Sequence, residues 1–252
     1  MNIKSILTTA LLLASFMTAG AQTTKYLNVQ TGDGQYKSFE VTPNLELSWD
    51  LENYEEKKPA TTTGTAKATI NSVETDVNWV QLWEGGPKFA DRNIGATSET
   101  DCGGYYCWGK STDKDPDGNY NDGSDPLSGD NDTATKLWGS NWRMPTLEEL
   151  DNLFANCNVK RIDGIFEKYN NTTVPGIRFT GKDAYSSNHV FLPAAGTFFN
   201  GDVVDQGDRG RYWSSTPYGN VWSCILYFDT VGQSWGYDER QYGFSVRAVL
   251  AE

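Results

Sequence analysis

The chain has 252 residues, 38% of them hydrophobic, and a formal net charge of −12. That length suits one or two domains. The acidity argues against nucleic acid and against anionic membrane surfaces, because both select a basic patch.

Met1–Ala21 reads as a secretory signal. Lys4 supplies the positive start, Ile6 to Met17 the apolar run, and Ala19-Gly20-Ala21 a small-x-small cleavage site before Gln22. The run is too short to span a bilayer. No other stretch suits a span, so the expected product is a soluble chain without a membrane segment. It is placed outside the cell or at the cell surface, with the periplasm as the alternative.

Residues 22–51 read as a small β unit. Tyr26-Leu27-Asn28-Val29 is followed by the turn Thr31-Gly32-Asp33-Gly34. Phe39 and Val41, then Leu45, Leu47 and Trp49, recur at period two. Residues 52–69 (ENYEEKKPATTTGTAKAT) carry no apolar period and read as a linker. The main domain is then 70–252. Trp79, Val80, Leu82 and Trp83 suggest its first strand, ended by Gly85-Gly86-Pro87. Tyr105, Tyr106 and Trp108 most simply fill a core.

The acidic stretch 113–132 opens with Asp113-x-Asp115-x-Asp117-Gly118, the start of an EF-hand-like calcium loop. Its twelfth position is Ser124 instead of Glu, so a calcium site at Asp113, Asp115 and Asp117 competes with a solvated loop. No cofactor is otherwise required. Thr146 followed by Glu149 is a capping box. Leu147, Leu150, Leu153, Phe154 and Cys157 share one face behind it, which predicts a helix over 146–157.

Four cysteines in an exported chain permit disulfides with three connectivities. The local pair Cys102–Cys107 with Cys157–Cys224 is the favoured one. Zinc is a poor fit, since His189 is the sole histidine and no CxxC pair occurs. Asp132-Thr133-Ala134 and Asp229-Thr230-Val231 match an Asp-Thr-apolar glycosylation tripeptide.

Toward the C-terminus, Trp222, Cys224, Leu226 and Phe228 alternate with Ser223, Ile225, Tyr227 and Asp229. This predicts a strand, a turn at 230–233, and an antiparallel return over 234–237. Phe244, Val246 and Ala248 predict a final strand. The connections concentrate Tyr218, Asn220, Trp222, Trp235, Tyr237, Asp238, Arg240 and Tyr242, more aromatic, amide and charged groups than turns need. They are the candidate ligand surface. Trp222 shares parity with Leu226 and Phe228, so an inward position competes for it.

Several phrases occur in order: Trp79-Val80-Gln81-Leu82-Trp83, Gly86-Pro87-Lys88-Phe89-Ala90, Asn93-Ile94-Gly95-Ala96-Thr97, and Gly104-Tyr105-Tyr106-Cys107-Trp108-Gly109. Trp142-Arg143-Met144-Pro145-Thr146, Phe191-Leu192-Pro193-Ala194-Ala195-Gly196, Tyr212-Trp213-Ser214-Ser215 and Ser245-Val246-Arg247-Ala248-Val249 complete the set. Over about 78–252 this resembles the Fibrobacter succinogenes major paralogous domain family, common in secreted Bacteroidetes proteins. The resemblance implies a C-type-lectin-like α+β fold in which N- and C-terminal strands pair and the segment before the last strand carries the ligand. The Glu-Pro-Asn, Gln-Pro-Asp and Trp-Asn-Asp triplets of calcium-dependent sugar binding are missing.

The expected function is a non-catalytic recognition module for a glycan or protein, an adhesin-like role. The alternative is a structural subunit of a surface fibre, with the N-terminal strands adding to a partner sheet. Less favoured is an enzyme of the formylglycine-generating type. Cys224 has no second cysteine near it in sequence.

Overall fold

A computed structural model of the protein describes residues 26–30, 36–40, 61–111, 118–164 and 173–251. The chain divides into two units, Met1–Lys58 and Pro59–Glu252. In the first, β1 (Tyr26–Gln30) and β2 (Tyr36–Glu40) pair antiparallel, with Leu27 opposite Phe39. These are the strands expected from the sequence. The signal segment, the strand at Leu45–Trp49 and the calcium run Asp113–Asp117 lie outside the described residues.

The second unit begins earlier than its apolar pattern suggests. β3 (Thr63–Ile70) takes up the last seven of the eighteen residues read as linker. Its alternation is genuine, but the inward positions are Gly64, Ala66 and Ala68, which leave little hydrophobic signal. Gly64 is small for a reason: a Cβ there would lie 2.7 Å from the Trp79 ring.

β4 (Val73–Gln81) and β5 (Lys88–Ala90) follow, then α1 (Thr133–Trp138), β6 (Trp142–Arg143) and α2 (Leu147–Asn156). β7 (Asn158–Ile162), β8 (Gly176–Thr180) and β9 (His189–Pro193) form an antiparallel meander, and β10 (Thr197–Phe199) and β11 (Asp202–Val204) a hairpin. β12 (Gly210–Tyr218), β13 (Trp222–Phe228) and β14 (Gln233–Glu239) make a three-stranded antiparallel sheet. The last strand, β15 (Val249–Leu250), lies between β5 and β6 in a five-stranded sheet of order β3-β4-β5-β15-β6. The class is α+β with short antiparallel sheets.

α2 forms where the capping box predicts it. Thr146 Oγ1 accepts from the Glu149 amide (3.2 Å), and Glu149 Oε2 accepts from the Thr146 amide (2.8 Å). Glu149 also takes a two-pronged bond from Arg143, at 2.6 and 2.7 Å. Burial pushes the Glu149 carboxyl up, but the Arg143 guanidinium and the Thr146 amide outweigh it and hold it below its ordinary value. A carboxyl lowered on folding stabilises above its unfolded pKa, and this is lost as pH falls through the folded value. Glu149→Gln is therefore expected to lower stability by about 1–2 kcal/mol at neutral pH. Urea melts of the two proteins should converge at acid pH below that folded value.

Two buried clusters flank the β12–β14 sheet. Trp213 and Ile225 join Trp108, Trp142, Met144 and Phe244 in one. Tyr212, Leu226 and Phe228 join Leu150 and Leu153 of α2, with Phe89 and Phe179, in the other. Phe244, Val246 and Ala248 are buried as the alternation predicts, but Ser245, Arg247 and Val249 are buried too. That segment is covered on both sides, and only Val249–Leu250 forms ladder strand.

The disulfide expectation is overturned: all four cysteines are free thiols. Each faces its own partner. Cys107 Sγ donates to the Gln241 carbonyl (3.0 Å), whereas Cys102 Sγ accepts from Gln206 Nε2 (3.3 Å). Cys157 packs in the α2 cluster, while Cys224 Sγ sits 4.0 Å from the Pro217 carbonyl oxygen. Thr133 is also no modification site. It is buried in α1 with its hydroxyl donating to the Lys110 carbonyl (2.8 Å). Thr230 lies on the exposed β13–β14 turn.

Candidate functional site

Paired residues in an antiparallel sheet project to the same face. Tyr218 is opposite Trp222, Cys224 opposite Tyr237, and Leu226 opposite Trp235. Tyr218, Trp222, Trp235 and Tyr237 therefore share one face with Leu226 and Phe228. The latter two are buried beside α2 residues, whereas the four aromatics are 43, 41, 45 and 49% exposed. Tyr218 and Tyr237 stack at 4.1 Å and 10°, and Trp222 tilts against Tyr237 at 5.7 Å. Val221 and Asn220, both exposed, sit on the adjoining turn. The result is an exposed aromatic patch on three paired strands.

Of the two positions open for Trp222, the structure takes the exposed one. Its parity is that of the core residues, but it lies at the strand end where the cluster stops.

Arg240 is not at the edge of this surface. It is wholly buried beneath it, which corrects its place among the ligand groups. Its Nε donates to the Trp222 carbonyl (3.1 Å) and Ser223 Oγ (2.9 Å). One terminal nitrogen donates to the carbonyls of Asn121 and Gly123, the other to that of Gly219, all at 2.8 Å. The guanidinium lies 4.1 Å from the Trp108 ring centroid. Arg240 thus ties the turn carrying Asn220 and Trp222 to the 121–123 loop. Gly219 adopts φ +70°, which glycine tolerates and the turn requires.

Asp238 and Tyr242 are separated from the patch. Asp238 pairs with Ser223, on the opposite face from Tyr237. It lines a cleft of about 260 Å³ with Thr197, Phe199, Asp205, Arg211 and Tyr242. Arg211 lies 3.7 Å from Asp238 and 3.6 Å from Asp205, and donates to Thr197 Oγ1 (2.5 Å). Burial pushes the Asp238 carboxyl up. Phe199 and Tyr242 meet edge to face at 5.0 Å. Phe199, Asp205 and Arg211 were not among the residues singled out from the sequence. Asn200-Gly201, both at positive φ, is the hairpin signal that could have found β10–β11; nothing local marks Arg211. A second concavity, about 320 Å³, is lined by Trp79, Asp91, Glu99 and His189, with His189 Nε2 4.0 Å from Glu99.

Among the described residues, no group of three or more His, Cys, Asp or Glu is placed to hold a metal. None of the described helices is long and apolar enough to cross a membrane.

A family model described as "Domain of unknown function (DUF8237)" matches residues 166–249, about a third of the chain. The match spans β8 to β14 and so includes the aromatic patch. No curated protein and no solved structure matches.

Proposed function

We propose that this chain is a non-catalytic recognition module, exported and surface-associated, that binds a glycan or protein ligand on Tyr218, Asn220, Trp222, Trp235 and Tyr237. The observation that carries this reading is the exposure of four large aromatics on one face of a sheet where their same-face neighbours Cys224, Leu226 and Phe228 are buried. Leaving aromatic surface in water is unfavourable, and contiguous apolar patches mark interaction sites. The C-type-lectin-like relationship is part of the proposal. The pairing of β15 with β5 and the place of the patch before the last strand support it.

The thiols speak against cysteine chemistry. Burial pushes Cys224 up, and Cys157 up to about 12, so neither is a thiolate nucleophile at neutral pH.

The test is a glycan array and a panel of surface proteins, each probed with and without calcium. Trp235→Ala/Tyr237→Ala is expected to weaken any ligand found by about 30-fold or more, since exposed aromatic anchors dominate such surfaces. Its melting temperature should move by less than about 3 °C, because both side chains are about half exposed and neither belongs to a buried cluster. A large loss of stability would contradict the assignment.

A further inference from the structure

The backbone hydrogen bonds at its two ends fix which residues of β14 face β13. Asp229 N donates to the Gly232 carbonyl (2.9 Å) and Arg240 N to the Val221 carbonyl (3.0 Å). These bonds bracket the β13–β14 ladder and lie in the same register as its pairs. In an antiparallel ladder, bonded and non-bonded pairs alternate. Ser234, Gly236 and Asp238 therefore direct their backbone groups into β13. Gln233, Trp235, Tyr237 and Glu239 direct theirs away from it.

Glu239 satisfies itself locally. Its amide donates to Asp238 Oδ1 (3.0 Å) and its carbonyl accepts from Tyr242 N (3.1 Å). For Gln233, Trp235 and Tyr237, no strand among the described residues lies on the outer side, because β14 ends the sheet order. The opposite edge of the sheet is closed. Trp213 N donates to the Ser245 carbonyl (3.0 Å) and Ser215 N to the Pro145 carbonyl (2.7 Å). Edge strands are ordinarily defended by lysine, proline or a bulge. β14, QSWGYDE, carries no lysine or proline, and its register with β13 is unbroken.

We propose that this edge is a docking strand for an extended cationic peptide segment of a partner protein, which adds to the sheet as a fourth strand. The inference rests on the reading of the aromatic patch as a ligand surface and names its ligand class. The three outward residues offer donor and acceptor at every second position, roughly 7 Å apart, which an extended polypeptide matches. Trp235 and Tyr237 flank the added strand on one face and would pack its alternate side chains.

Charge selects the segment. Asp229 stands at one end of β14 and Glu239 at the other, in a chain of net charge −12. The Asp229 carboxyl is held down to about 2 by the Tyr227 hydroxyl and the Val231 and Gly232 amides. A second copy of this chain would bring the same negative charges to the edge, so pairing between copies is disfavoured.

The experiment is residue-resolved amide exchange by NMR on the mature chain, with a synthetic nonapeptide of alternating lysine and valine as probe. Free protein should show fast exchange at Gln233, Trp235 and Tyr237 and slow exchange at Ser234 and Gly236. Bound peptide should slow the first three at least tenfold. Gln233→Pro removes one outward N–H at the start of the strand without touching the ladder, an aromatic ring or the net charge. It is expected to weaken the peptide at least tenfold with unchanged melting. An alternating glutamate/valine peptide should bind at least tenfold more weakly. Unprotected amides, wild-type affinity in Gln233→Pro, equal binding of the acidic peptide, or no binding of the basic one would each overturn the proposal. If a glycan is still lost in Trp235→Ala/Tyr237→Ala, the patch reading stands without the docking strand.

Discussion

Arg240→Ala is expected to destabilise the protein by about 4 kcal/mol and to lower its melting temperature by roughly 10 °C. The side chain is fully buried and makes five hydrogen bonds, four of them to main-chain carbonyls. Truncation leaves the carbonyls of Asn121, Gly123, Gly219 and Trp222 with a lost partner in a desolvated site. Each such group costs about 1–3 kcal/mol unless water enters. The Trp108 ring loses its cation as well. Arg240→Lys should recover only part of the loss, because a compact ammonium cannot span carbonyls that a planar fork reaches. A second readout separates this from general weakening. Amide exchange in 219–223 should rise more than in β7–β9, since Arg240 holds that turn and not the meander. Equal acceleration everywhere, or a melting temperature within about 2 °C of wild type, would contradict the account.

Arg247→Ala is expected to cost a comparable 3–5 kcal/mol through a different network. Arg247 is 1% exposed. Its Nε donates to Asn93 Oδ1 (3.0 Å), and its terminal nitrogens donate to the carbonyls of Ala90 (3.1 Å) and Phe191 (2.9 Å). Asn93 Nδ2 donates onward to the Cys102 carbonyl (2.9 Å) and to the Tyr212 hydroxyl oxygen (3.2 Å). That hydroxyl donates to the Pro193 carbonyl (2.7 Å). One side chain therefore joins the C-terminal segment to the end of β5, to β9 and, through Asn93, to β12. Because the two residues act together, Arg247→Ala/Asn93→Ala should be less destabilised than the sum of the single variants. Chemical denaturation of the four proteins measures the coupling; strict additivity would contradict the network.

Arg247 and Asn93 also show what the sequence makes visible. Both stand in phrases that carried the family resemblance, yet nothing local says that they meet across 154 residues. Periodicity placed α2, which has one covered and one uncovered face; β13 is covered on both faces, and there the alternation of side chains together with the turn at 230–233 placed the hairpin. Periodicity failed at β3, where alanine and glycine face inward.

The exposed aromatic patch was legible in the sequence, and the placing of the charged residues around it was not. Reading the return strand as ending at Tyr237 put Asp238 in a turn beside it. The strand runs on to Glu239, and one further residue in a strand means the opposite face. Arg240 looked like a surface charge because arginine is seldom fully buried. Its acceptors are backbone carbonyls from three separate loops and strands, which no residue type reveals.

In the proposed function, the Tyr218–Tyr237 aromatic patch holds the ligand. The most direct measurement compares the affinity of wild type and Trp235→Ala/Tyr237→Ala for the strongest hit from the glycan array and surface-protein panel, alongside their melting temperatures. The account predicts a loss of about 30-fold or more with melting essentially unchanged. A ligand held equally by both proteins would contradict it and move the site to the Arg211 cleft or the His189 concavity.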